Sequence, residues 1–140
     1  VIVDYMGSID TLSFAHEVVA PAEARLYSFI SMADSSSAYF VALRQPMEPD
    51  LGMNDFELMI YQRETMMSFP PASNLKVEIE PEMPSMGHGS PNNVNPVHVE
   101  GGHYRGKVNF TMSGHWKVNM TIRNENDSLL HTGSAFNIIF

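Results

Sequence analysis

Residues 103–123 read HYRGKVNFTMSGHWKVNMTIR, and apolar side chains alternate with polar ones through both halves of this stretch. Alternation with a period of two residues is typical of β-strands that bury one face. We therefore predict strands at 103–112 and 115–123, and we predict that the short connection Ser113-Gly114 joins them as a tight hairpin. The inward positions, which are predicted to be core, are Tyr104, Phe110, Met112, Trp116 and Met120.

Runs rich in β-formers recur through the rest of the chain, with turn residues between them. About seven strands at this spacing predict an all-β, immunoglobulin-like antiparallel two-sheet sandwich. Residues 1–5 are predicted to be a strand or an arm, and residues 16–25 a short helix that Pro21 interrupts. No repeat or linker divides the chain, so residues 1–140 are predicted to form a single domain. The other predicted strands are 26–32, 38–44, 54–63, 75–82 and 135–140.

The composition excludes several classes of function. Eight basic residues oppose 16 acidic ones, and the net charge of −8 provides no basic stripe for a phosphate backbone, so we exclude nucleic acid as a partner. The chain has no cysteine, which removes disulfides, thiolate metal sites and thiol catalysis. It also has no nucleophile elbow, phosphate loop or HExxH helix, so we predict a binding protein rather than an enzyme.

Residues 82–90 read EMPSMGHGS and place Met83, Met86 and His88 within six residues, where proline and glycine force the backbone to turn. Two thioethers and an imidazole are a soft, neutral donor set that suits Cu(I) better than harder ions. In a chain with 11 methionines, this combination predicts a copper site. The pair Met66-Met67 is a further candidate source of soft donors.

The long loop from Met83 to Gly102 is expected to contain no strand of more than a few residues. If the strands that flank this loop are antiparallel neighbours, both of its ends lie at one pole of the sandwich. The tip that carries Met112 and a solvated His115 would then lie roughly 30 Å away along the strand. The candidate metal ligands that this arrangement gathers at one pole are Met83, Met86, His88, His98 and His103.

A plainer interpretation of the same residues stays open. A methionine at the end of a strand is more often core than ligand, and a lone histidine in a loop is more often a solvated side chain. In this interpretation MPSMGHG is a rigid turn that serves packing or a protein partner, and no metal binds. The triplets that begin at Asn109, Asn119 and Asn126 also fit the glycosylation sequon.

Residues 83–89, MPSMGHG, and residues 102–116, GHYRGKVNFTMSGHW, resemble the paired motif of the YtkA-like domain, a family related to FixH-type proteins. Residues 49–56 fit the lead-in P-x-x-G-x-N-x-F that such domains carry. The resemblance implies an immunoglobulin-like sandwich outside the cytoplasm, periplasmic or at the cell surface, and lipid-anchored or membrane-tethered in its full-length form. It also implies an association with copper handling or with the maturation of respiratory oxidases.

The resemblance sets expectations for the parts of the chain and for its partners. Residues 38–123 correspond to the core of the family, residues 124–140 are the final strand, and residues 1–37 have no clear counterpart. The implied partners are a copper ion, taken as Cu(I), and a membrane oxidase or copper-transfer protein. Contact with a membrane is expected only through a tether that this chain lacks.

Overall fold

The computed structural model describes residues 23–140 and the backbone of two short strands that precede them, Ile2–Tyr5 (β1) and Ser8–Thr11 (β2). These two strands pair antiparallel, so of the two alternatives for residues 1–5, a strand or an arm, the structure shows a strand at Ile2–Tyr5. The helix predicted at residues 16–25 falls mainly outside the described residues, and residues 23–25 are irregular.

Nine more strands form two sheets, and every described pairing is antiparallel. One sheet has the order β3-β4-β5-β9-β8 and the other has the order β11-β10-β6-β7, so the predicted antiparallel two-sheet sandwich is confirmed. No helix that could span a membrane occurs in the described part of the chain. The strands are Leu26–Ile30 (β3), Ala38–Gln45 (β4), Gly52–Gln62 (β5), Lys76–Met83 (β6), His88–Gly89 (β7), Val94–Glu100 (β8), His103–Phe110 (β9), His115–Arg123 (β10) and Leu129–Ile139 (β11).

The two most regular strands are not a hairpin. Strands β9 and β10 are where the alternation predicts them, but they belong to different sheets, and the connection 111–114 arches from one sheet to the other. The prediction of a tight hairpin at Ser113-Gly114 is therefore wrong. Alternation reports that one face of each strand is buried, and it does not report which strand is the neighbour. Gly114 has φ 129°, a conformation that glycine adopts without strain, and its N–H donates to the carbonyl of Phe140.

The segment between Met83 and Gly102 is more regular than expected, because it contains β7 and the seven-residue strand β8. Pro96 lies inside β8, which is the edge strand of its sheet, and an edge position tolerates a residue that cannot donate a ladder hydrogen bond. Gly106 on β9 allows the close approach, since a Cβ there would collide with the carbonyl oxygen of Val94. The prediction that this loop contains no strand of more than a few residues is therefore wrong, because the edge position and Gly106 together allow β8 to form.

The core lies between the inner faces of the two sheets. Tyr104, Phe110 and Trp116 are fully buried and Met120 nearly so, as their positions in the alternation predict. The Tyr104 hydroxyl donates to the carbonyl of Ala72 and accepts from the N–H of Leu75, so its one polar atom is satisfied. Met112 is the exception: its side chain is 44% exposed, because β9 ends at Phe110 and the alternation does not continue through the arch.

One ionisable side chain is buried among aromatic rings. His131 on β11 is 7% exposed, and its ring lies 4.6 Å from the ring of Phe29 and 5.2 Å from that of Tyr27. Burial lowers the pKa of His131 below its ordinary value, and a hydrogen bond to the backbone of Gly133 only partly opposes the shift. Within the described residues, its Nε2 atom has no hydrogen-bond partner.

Stability is therefore expected to depend on pH through His131. Below about pH 6.5 the unfolded chain binds a proton that folded His131 does not, so the free energy of unfolding falls as the pH drops toward the folded pKa. His131→Phe should flatten this part of the profile, and His115→Asn, a change at an exposed histidine, should not. Urea unfolding between pH 7.5 and pH 5.5 measures the difference. Equal losses of stability in the parent and in His131→Phe would contradict the assignment.

Candidate functional site

The turn between β6 and β7 has a fixed backbone. The carbonyl of Met83 accepts hydrogen bonds from the N–H groups of Met86 and Gly87, both at 3.0 Å. Gly87 has φ 64°, in the left-handed region that glycine enters at little cost. Beyond the turn, His88 lies directly opposite Met83 in the register of the two strands. The motif MPSMGHG therefore folds as a tight hairpin with a defined backbone.

The side chains of this hairpin divide between the core and the solvent. Met83 is 3% exposed and belongs to the core cluster, whereas Met86 is 56% exposed and His88 is also exposed. Met83 lies directly beneath the arch, since its methyl group would be 3.4 Å from a Cβ placed on Gly114. Of the three predicted donors on this motif, Met86 and His88 are open to an incoming ligand and Met83 is not.

Two contacts orient the His88 ring. The ring packs edge-on to the indole of Trp116, with 6.3 Å between the centroids, and its Nδ1 atom is 3.0 Å from the carbonyl oxygen of Gly89. A carbonyl oxygen can only accept, so Nδ1 carries the proton in the neutral ring and Nε2 carries the lone pair. A hydrogen bond of this kind is how proteins orient an imidazole that ligates a metal.

His98 and His103 lie at the other end of the molecule. Strand β8 runs back along the sandwich before the turn 101–102, and His103 begins β9 about seven residues, or roughly 23 Å, from its other end at Phe110. The Nε2 atom of His98 is 2.6 Å from the carbonyl oxygen of Gly101. The predicted convergence of all five residues is therefore wrong for these two histidines, because β8 separates them from Met83.

His103 is paired with a carboxylate on the neighbouring strand. It is 8% exposed, and its Nε2 atom is 3.0 Å from a carboxylate oxygen of Glu57 on the neighbouring strand. The same carboxylate also pairs with Arg105 at 3.4 Å. A buried polar side chain that is satisfied in this way is explained by the sheet itself.

The end of the sandwich that carries the β6–β7 turn also carries the β9–β10 arch, and we call it the Met83 pole. Lys117 of β10 pairs with Glu82 of β6, so the arch lies beside the turn rather than roughly 30 Å away. The indole N–H of Trp116 donates to the carbonyl of Met112 at 2.9 Å. The backbone of Met112 is therefore a neighbour of the His88–Trp116 pair. The prediction that Met112 lies in the core and at the opposite pole is wrong.

The exposed methionines are spread over both poles. Met53, the second residue of β5, pairs with Asn109 and lies toward the Met83 pole, with a 48% exposed side chain. Met66 and Met67 are 79% and 92% exposed in the connection after β5, at the opposite pole. The Met66-Met67 pair is thus accessible, but it lies far from the His88 turn.

A surface groove of about 390 Å³ adjoins the turn and includes His88. Its polar wall is built by Glu80 and Glu82 of β6, with Asn119 of β10 donating to the Glu82 carboxylate at 3.2 Å. Among the described residues, no three histidine, aspartate or glutamate side chains are grouped so that they could hold a metal ion.

Comparison with known protein families matches residues 34–121, which is more than half of the chain, to the family described as YtkA-like. The matched range contains the turn with Met86 and His88 as well as the arch with Met112 and Trp116. No curated protein and no solved structure matches the chain.

Proposed function

Because the chain belongs to the YtkA-like family, we propose that it is a copper-binding or copper-delivery accessory domain that acts outside the cytoplasm. The observation that carries the proposal is the exposure of Met86 and His88 on one rigid turn. A thioether and an imidazole are neutral donors, and soft ligands of this kind favour Cu(I) over Zn²⁺, Mg²⁺ or Ca²⁺.

The orientation of His88 supports this function. Its Nδ1–H group is engaged with the Gly89 carbonyl, so the ring offers Nε2 as a ready lone pair without reorganisation. Its packing on Trp116, which is completely buried, removes some of the rotamer freedom that the ring would otherwise lose on binding an ion. Met83 supports the turn from the core and is not proposed as a ligand.

The accessibility of the ligands supports the delivery role. A site that hands an ion to another protein has to expose its ligands, and Met86 is more than half exposed at the tip of a hairpin. We propose a copper-transfer protein or a membrane oxidase as the recipient. A basic patch on that recipient would complement the net charge of −8 and steer the encounter.

The second candidate function is an interaction module in which the turn binds a protein and no metal. The observation that favours it is the turn itself, whose backbone is defined by two hydrogen bonds to the Met83 carbonyl and by the positive φ of Gly87. A preformed hairpin suits either function, so a measurement of metal binding is needed to distinguish them.

An anaerobic titration with Cu(I) and a parallel one with Zn²⁺ test the copper function. We expect Cu(I) to bind at a single site per chain and Zn²⁺ to bind far more weakly, because thioether sulfur is a poor partner for the harder ion. Equal affinity for the two ions would point to a site of different composition. The absence of Cu(I) binding would leave the interaction module.

A further inference from the structure

Met112 lies at the Met83 pole in a position that packing does not explain. It follows two residues after Phe110, which is fully buried, yet its own side chain is 44% exposed. The backbone around it is held on both sides, because the Trp116 indole donates to the Met112 carbonyl and Gly114 exchanges two hydrogen bonds with Phe140. An apolar side chain is thus presented to solvent from a fixed backbone.

The same indole joins Met112 to the candidate ligands on the turn. The rings of Trp116 and His88 pack in a T-shaped arrangement, and the Trp116 N–H group donates to the Met112 carbonyl. Met83, directly below the turn, lies against Gly114 of the arch. The turn and the arch are therefore one continuous surface, although 24 to 26 residues separate Met112 from His88 and Met86 in the chain.

We propose that Met112 supplies a second thioether to the same ion as Met86 and His88, an inference that rests on the proposed function. Two thioethers and one imidazole leave the charge of a monovalent ion unneutralised, which suits Cu(I) or Ag(I) and not a divalent ion. An ion held by residues of both segments would also fix the arch to the turn. Trp116 acts as the positioning residue, since it touches both parts of the site.

Methyl NMR of the full chain labelled with [methyl-¹³C]methionine tests the proposal, with Ag(I) alone as a redox-inert probe. Coordination through sulfur changes the environment of the adjacent methyl group, so each methionine reports on itself. The Met86 and Met112 signals, assigned from Met86→Leu and Met112→Leu, should shift together and saturate at one ion. The signals of Met53 at the same pole and of Met67 at the far pole should not follow them.

Affinity provides the second measurement. Met112→Leu keeps the size and apolarity of an exposed side chain and deletes only the sulfur, so the fold should persist. It should weaken Ag(I) binding by at least about 10–100-fold, the loss that is typical when a residue supporting a metal ligand is removed. The matched change Met53→Leu should not alter the affinity. The emission of Trp116, the only tryptophan, follows binding because its ring contacts His88.

The possible failures are distinct. If the Met86 methyl shifts and the Met112 methyl does not, the inference about Met112 is overturned and the copper function stands. If neither methyl shifts and Trp116 emission is unchanged, the copper function fails and the inference fails with it. A shift of the Met67 methyl in step with Met86 would show adventitious binding to exposed methionines.

Discussion

Met86→Leu is expected to weaken Cu(I) binding by about 10–100-fold while leaving the fold intact. The side chain is 56% exposed, so the exchange should change the free energy of unfolding by no more than about 0.5 kcal/mol. His88→Ala should weaken binding further, because it removes the one nitrogen donor of the turn. Lowering the pH should weaken binding reversibly in the parent, since protons compete with the ion for the imidazole.

The control for these variants is Met67→Leu, which deletes a sulfur that is 92% exposed at the opposite pole. It should bind Cu(I) as the parent does, and His98→Ala, also far from the turn, should do the same. Competition with a Cu(I) chelator measures each affinity, and urea unfolding reports any loss of structure. If Met86→Leu and His88→Ala bind copper as tightly as the parent does, the turn is not the site.

Trp116→Ala is expected to lower the free energy of unfolding by about 3–5 kcal/mol. The side chain is fully buried between the sheets and packs against Phe110, with 5.4 Å between ring centroids. Its removal leaves a large cavity and also frees the Met112 carbonyl that the indole N–H holds. A domain of this size has a total stability of roughly 5–15 kcal/mol, so the loss should be visible as a large fall in the urea midpoint.

Trp116→Phe is the matched variant, because it keeps an aromatic ring in the core and deletes the N–H donor. Its cost should be clearly smaller than that of Trp116→Ala, and its effect on the arch should appear as an altered Met112 methyl signal. A loss of less than about 1 kcal/mol for Trp116→Ala would mean that the ring does not fill the core as described.

The sequence predicts the strands well where burial is one-sided. Strands β9 and β10 have clean alternation, and Trp116 and Met120 occupy the predicted inner face. Strand β8 was missed because Pro96 argues against a strand, and only the location at a sheet edge removes that objection. Apolar alternation thus predicts the strands of the sandwich. Whether a segment with a proline can be a strand depends on its position in the sheet, which the alternation does not report.

The arrangement of the site could not be predicted in the same way. A strand's own sequence does not name its neighbour, so β9 and β10 read as a hairpin although the arch carries the chain to the other sheet. That single difference places the arch with Met112 beside the β6–β7 turn, and the return of β8 places His98 and His103 at the opposite pole. The donor atoms of the short motif predict Met86 and His88 as candidate ligands. Which other residues lie near them depends on the pairing of strands that are distant in the sequence.

The central claim is that the turn of the Met83 pole binds one soft metal ion, and an anaerobic competition titration tests it most directly. Cu(I) is added to the full chain in the presence of a chromophoric chelator of known affinity. The account predicts that the protein withdraws one Cu(I) per chain from the chelator and that binding then saturates, with Trp116 emission changing in step. Failure to withdraw copper, or continued uptake in proportion to the number of exposed methionines, would contradict it.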